Sequence, residues 1–211
     1  MNGVRATVAL CLLFVAMVLG AFYLKMTREV VLSPEQLAEL GTVLLPRPRA
    51  IADVALTDTD GKPYTEASLV GGWRFVFFGF TNCPDICPTT MSVLGQVWAE
   101  LTPDEQQDFH GVLISVDPER DTPEALARYA TAFAPTFIGA TGSIVELAKF
   151  ATQVNVAFAK VPSPNASEPY TMDHTGNVVI INPMGHYHGF VKMPHTRDKL
   201  LTTYRTLRAT F

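Results

Sequence analysis

Hydrophobic positions along this chain fall into one long block followed by two alternating periods. Residues 6–24 form a run without charge between Arg5 and Lys25, rich in Leu, Val, Ala and Phe. A run of that length spans a hydrocarbon core about 30 Å thick. It continues past Gly20 and Ala21 through Phe22, Tyr23 and Leu24, beyond the roughly 7–15 apolar residues of a cleaved signal peptide. The expectation is a retained transmembrane helix with Phe22 and Tyr23 at its interfacial belt. Lys25 and Arg28 outnumber Arg5, so flanking charge does not set its orientation. Cys11 lies within the run and reads as a small apolar residue in lipid.

After a short helical piece opening at Ser33-Pro34-Glu35, the stretch Leu45-Pro46-Arg47-Pro48-Arg49 reads as a tether. This predicts a map of 1–28 anchor (transmembrane about 6–24), 29–49 linker and 50–211 globular domain. Residues 52–56 read as a strand, and Asp58-Thr59-Asp60-Gly61-Lys62 as the tight turn after it. Residues 73–80 are a continuous apolar strand of the kind buried on both faces of a largely parallel sheet. Met91, Leu94, Val97, Trp98 and Leu101 then recur at helical spacing. A second buried strand follows at 111–116, and a helix with Thr122 as cap and Pro123 in its first turn. A short strand at 136–139 precedes a helix capped by Ser143, with Ile144, Leu147, Ala148 and Phe150 as its apolar positions. Residues 154–159 are extended, strands at 177–181 and 186–191 form a hairpin across Asn182-Pro183-Met184-Gly185, and a helix over 197–207 closes the chain. Strand–helix alternation ending in a hairpin and helix predicts a three-layer α/β domain of thioredoxin type, a mixed sheet flanked by helices.

Composition narrows the function classes. Of 211 residues, 48% are hydrophobic and 17% charged, which excludes a disordered chain. The net charge of -4 comes without a clustered basic surface, so nucleic acid is not an expected partner.

The candidate chemistry lies just after the strand at 73–80. Thr81-Asn82-Cys83-Pro84-Asp85-Ile86-Cys87-Pro88 places two of the three cysteines four positions apart where a strand yields to a helix. Near a helix start their thiolates are favoured, and the pair could form a disulfide, act as a redox couple or clamp a soft metal. Asp117 and Asp121 lie in a proline-flanked turn and read as turn or rim residues. Asp173 reads either as a carboxylate orienting His174 or as a turn residue. Met184, His186, His188, Met193 and His195 form a His/Met-rich stretch, read mainly as strand-surface and core positions with a surface that handles a soft metal as the alternative. Asn165-Ala166-Ser167 has the form of a glycosylation acceptor but reads as loop.

Several motifs in order carry a resemblance: Phe78-Gly79-Phe80-Thr81, the Cys83–Pro88 segment, Ser115-Val116-Asp117-Pro118-Glu119-Arg120-Asp121-Thr122-Pro123, Phe137-Ile138-Gly139-Ala140-Thr141-Gly142, Asp173-His174-Thr175 and Asn182-Pro183-Met184-Gly185. Over residues 50–207 the chain resembles the Sco/SenC family. The resemblance implies a thioredoxin-fold copper chaperone that helps assemble the CuA centre of cytochrome c oxidase, with metal ligands falling on Cys83, Cys87 and His174. Cu(I) or Cu(II) is the implied metal. Two thiolates and an imidazole suit three-coordinate Cu(I), whereas structural zinc wants four protein ligands. The implied partners are the copper-accepting oxidase subunit, an upstream copper donor or thiol reductant, and the membrane through the anchor. The implied setting is the bacterial or the mitochondrial inner membrane, and the lack of an Arg/Ser-rich transit pattern before the anchor makes the bacterial one, with the domain in the periplasm, the expectation over the mitochondrial one facing the intermembrane space. A metallochaperone is expected rather than an enzyme. The alternative is a thiol-disulfide oxidoreductase that uses Cys83 and Cys87 to reduce the acceptor's cysteines.

Overall fold

The computed structural model describes residues 2–26, 31–163 and 169–211. Two compact units separate: the N-terminal segment up to Val31 together with residues 205–211, and Leu32–Tyr204. In the first, the uncharged run folds as helix α1 (Asn2–Met26). Its apolar stretch Gly3–Tyr23 has 21 residues, none of them buried, and at 1.5 Å per residue is about 32 Å long.

The second unit opens with α2 (Pro34–Glu39), started by a capping box in which Ser33 Oγ accepts from the Gln36 N–H and Gln36 Oε1 accepts from the Ser33 N–H. Next comes β1 (Thr42–Ala50), antiparallel to a late strand from Thr42 opposite Val191 to Ala50 opposite His186. Residues 42–49, expected in the linker, are therefore part of the sheet. Pro46 and Pro48 misled because they break a strand pattern, yet β1 is an edge strand whose register slips between Leu44 and Arg49, and edges tolerate missing N–H groups. A buried 2.8 Å bond between the Thr42 and Thr203 hydroxyls ties β1 into the core.

The next strands, β2 (Leu56–Asp58) and β3 (Pro63–Tyr64), pair as a hairpin. The strand expected over 52–56 starts only at its last residue because side chains hold the earlier backbone. Gln153 accepts from the Ala52 N–H and donates to the Ala52 carbonyl, while Glu66 accepts from the Val54 N–H. Then follow β4 (Trp73–Gly79), α3 (Ile86–Glu100), α4 (Pro103–Asp108) and β5 (Phe109–Ser115). Sequence reading passed over α4, although Thr102 and Glu105 form a capping box. Thr122 and Ser143 do cap α5 (Pro123–Thr131) and α6 (Ile144–Gln153), with β6 (Ile138–Thr141) between them. Ile144 is nonetheless 48% exposed and outside the core. The chain continues as β7 (Phe158–Pro162) and β8 (Tyr170–His174), then β9 (Val178–Ile181), β10 (His186–Val191) and α7 (Arg197–Thr210). The extended segment expected at 154–159 lies later, at β7, because Val154 and Asn155 end α6, the latter with φ +58°. Asn165-Ala166-Ser167 lies outside the described residues.

Eight strands form one sheet in the order β1-β10-β9-β4-β5-β6-β2-β3, while β7 and β8 form a separate pair. Among the described residues only β4–β5 and β5–β6 pair in parallel. Every residue of β4 is buried, and alternate side chains serve opposite faces. Phe75 meets Phe109 and Tyr204 of α7 on one face, where Gly79 also lies against Cys87 of α3. Phe78 meets Phe150 of α6 on the other. Arg74 is the one charge inside β4, and its guanidinium is satisfied by the carbonyls of Leu69, Val70 and Gly72 at 2.8–2.9 Å. Helices on both faces of a central mixed sheet make the three-layer, thioredoxin-like architecture that the sequence predicts.

Candidate metal centre

Strands β4 and β5 run parallel and end side by side at Gly79 and Ser115, so the loops leaving them meet beyond one sheet edge, the usual location of sites in α/β folds. The β4 loop turns tightly, with the Cys83 N–H donating to the Phe80 carbonyl at 3.3 Å. Cys83 stands three residues before α3, and only Cys87 is helical, in the first turn. The cysteines thus meet through a turn feeding a helix, not by helical spacing. Gly79 is required for this approach: a Cβ there would stand 2.8 Å from Cys87 Sγ.

His174 arrives from the end of β8, 87 residues beyond Cys87, with Nε2 3.5 Å from Cys87 Sγ. Its ring is held edge-on by Phe77 and Phe80, with centroids at 5.6 and 6.0 Å, and Nδ1 lies 3.4 Å from the Thr175 carbonyl. The two Sγ atoms and the imidazole nitrogen all lie within 4.8 Å of one another. One ion with metal–donor distances of about 2.0–2.3 Å fits between donors so placed. Cys87 is fully buried, Cys83 is partly exposed, and both are free thiols.

The two thiols are not equivalent. Cys83 is pushed down to about 4, first by the hydrogen bond it accepts from Cys87 and further by His174 and backbone N–H groups, against the cost of burial. Cys87 is pushed well up, because it donates that hydrogen bond and is desolvated. At neutral pH the pair holds one negative charge and one proton, a resting state suited to a soft cation or to thiol exchange.

Neighbouring residues meet the expectations from sequence only in part, Asp117 and Asp121 shaping their turn but lying buried rather than at a rim. Asp173 is exposed and points to the opposite side of β8 from His174, so the Thr175 carbonyl, not Asp173, lies next to the imidazole. Asp117 and Asp121 are each 2% exposed: Asp121 binds Thr81 and Ser115, and Asp117 binds Tyr170 and Arg120. The His/Met-rich stretch is split by the hairpin. Met184 and His186 lie at the turn between β9 and β10, near Val70 and Asn182, while Met193 and His195 lie at the other end of that hairpin beside Gly176; both methionines, expected in the core, are instead exposed because they lie at the two ends of the hairpin. His188 packs edge-on against Trp73. Among the described residues these histidines form no second cluster of three donors. Sequence reading missed Arg120 and Tyr170 as parts of the site, because only folding brings them near the cysteine loop, and missed Phe77 and Phe80, which adjoin that loop in sequence but act on His174, brought to them by the fold.

Comparison with known proteins gives a consistent result. The SCO1/SenC family model matches residues 45–208. A candidate copper-binding protein of Stutzerimonas stutzeri is 36% identical over 164 residues, 78% of this chain and 79% of that protein. The mitochondrial SCO1 homologue of Homo sapiens is 33% identical over 173 residues, 82% of this chain and 56% of that protein, so the chain spans little more than half the human relative's length. The crystal structure of Arabidopsis thaliana ScoI with copper bound aligns with a TM-score of 0.68 at 33% identity, covering 76% of this chain and 99% of that chain.

Proposed function

The chain belongs to the SCO1/SenC family, and from that premise we propose that it is a membrane-anchored copper chaperone, with Cys83, Cys87 and His174 as the metal ligands and the CuA centre of cytochrome c oxidase as the destination. The observation that carries the reading is the convergence of two thiols and one imidazole, from segments 87 residues apart, within 4.8 Å at the end of the central strands. Two soft thiolate donors with imidazole as the third match Cu(I). The donor set also stays open on one side, since Cys83 is partly exposed. An incoming acceptor thiolate would displace the protein's ligands one at a time, Cys83 first, while buried Cys87 held the metal longest. Helix α1 would anchor the chain in the bacterial inner membrane with the domain in the periplasm, where the oxidase subunit that receives copper presents its site.

A second reading is favoured by the asymmetry of the thiols. Cys83 as thiolate would attack a partner disulfide, a mixed disulfide would form, and Cys87 would lose its proton and resolve it, leaving Cys83–Cys87 oxidised and the partner carrying two thiols. This chemistry needs no imidazole ligand. Replacement of the chromosomal gene by His174→Ala separates the two: copper delivery predicts loss of oxidase assembly with intact thiol reactivity, and full assembly would instead establish the reductase reading.

A further inference from the structure

The β7–β8 pair carries His174 but shares no strand ladder with the eight-stranded sheet that carries the cysteine loop. The backbone tethers the histidine arm to the cysteine strand only beyond His174, where Val178 of β9 pairs with Phe77 of β4; among the described residues the β7–β8 pair itself is held by side chains. The turn after β5, residues 117–121, bonds to both arms. At one end the Asp121 carboxylate accepts from the Thr81 N–H at 3.0 Å, the Thr81 hydroxyl at 2.5 Å and the Ser115 hydroxyl at 2.6 Å. Thr81 lies two residues before Cys83, so this clamp pins the cysteine loop to the end of β5. At the other end Asp117 accepts from the Tyr170 hydroxyl at 2.9 Å and from Arg120. The Arg120 guanidinium lies 4.0 Å over the Tyr170 ring and donates to the Tyr170 carbonyl at 3.3 Å. Tyr170 opens β8, and His174 closes it.

Magnitudes separate the ties. Glu119 also pairs with Lys160 of β7 at 2.7 Å, but both side chains are about half exposed, and solvent-screened pairs of this kind add little. The bonds to Asp117 and Asp121 engage buried carboxylates and are charge-assisted, roughly twice as strong as neutral ones. We infer that residues 117–121 form a two-ended brace that sets the separation of His174 from the cysteine pair: Asp121 is the positioning residue for the cysteine arm, and Tyr170 with Arg120 positions the histidine arm through Asp117. The brace rests on the copper reading for its consequence, though not for its geometry.

The two ends are separable by mutation in the reduced, detergent-solubilised full chain. Tyr170→Phe removes one hydroxyl and keeps the ring. It is expected to speed transfer of Cu(I) to excess bathocuproine disulfonate about tenfold, the lower bound for groups that orient metal ligands. In the copper-free chain it should raise amide exchange over 158–162 and 170–174 and leave Cys83 alkylation at the wild-type rate. Asp121→Ala should show the converse, with faster exchange over 81–87 and Cys83 alkylation changed several-fold. Wild-type Cu(I) release and wild-type exchange in Tyr170→Phe would overturn the brace, and so would two variants that move the same readouts together. His174→Ala serves as the control: if it retains Cu(I) as the wild type does, the ligand reading fails, and the exchange contrast in copper-free protein still decides the brace.

Discussion

At the scale of single residues, the site depends on the unequal sharing of one proton between two thiols. Cys83 is held near 4 by the Cys87 donor, so it stays ionised through the neutral range. Iodoacetamide should modify Cys83 in the reduced chain at nearly full rate down to about pH 5, with a half-point near 4, while Cys87 stays unmodified. A half-point near the ordinary thiol value of about 8.5 would contradict this. Copper loading requires Cys87, whose pKa is raised, to lose its proton. Between pH 7 and 8.5 one proton is therefore released per ion, and the apparent Cu(I) affinity should rise about tenfold per pH unit in competition titrations. The sequence displayed the Cys83–Cys87 pair plainly, because it lies in one short motif, whereas His174 came only through the family resemblance. It could not display the inequality of the thiols, which comes from burial and from which sulfur donates. It was silent also on Tyr170 and Arg120, since their use depends on a hairpin reaching a turn some fifty residues earlier in the chain.

At the scale of elements, the centre is built where β4 hands over to α3, and close packing sets its tolerance. Gly79 sits where any Cβ would meet Cys87 Sγ at 2.8 Å, Phe77 at 3.1 Å and Leu113 at 3.3 Å. Gly79→Ala should cost about 1–3 kcal/mol by overpacking, seen as a lower denaturant midpoint, and should weaken copper retention by displacing Cys87. Long apolar elements and capped helices with an apolar stripe, such as β4, α5 and α6, were legible because local signals agree with their final burial. The six-residue α4 escaped despite its capping box, being too short to show a helical period, and the other elements that escaped were decided by tertiary contacts. At 52–55, Gln153 and Glu66 take the backbone groups a ladder would use. In β1, two prolines are acceptable only because the strand lies at an edge. In β8, a polar segment becomes a strand only because β7 pairs with it from Phe158 opposite His174 to Pro162 opposite Tyr170.

At the scale of the whole molecule, the boundary of the folded domain lies earlier than proline and arginine at 46–49 imply. A chain beginning at Leu32 retains β1 and the Thr42–Thr203 bond, and should unfold cooperatively with unchanged copper binding. One beginning at Ile51 bares the β10 edge and should be less stable and prone to associate, as exposed edges are; equal unfolding midpoints for the two would refute the revised boundary. The proposed role of the molecule, presenting copper on a tethered domain, rests on three donors acting as one site. The most direct test is Cu(I) titration of the reduced full chain and of Cys83→Ser, Cys87→Ser and His174→Ala, with X-ray absorption to count sulfur and nitrogen neighbours. One copper per chain with two sulfurs and one imidazole is expected, with severe weakening in each variant. Tight, stoichiometric binding by any one of the three variants would contradict it.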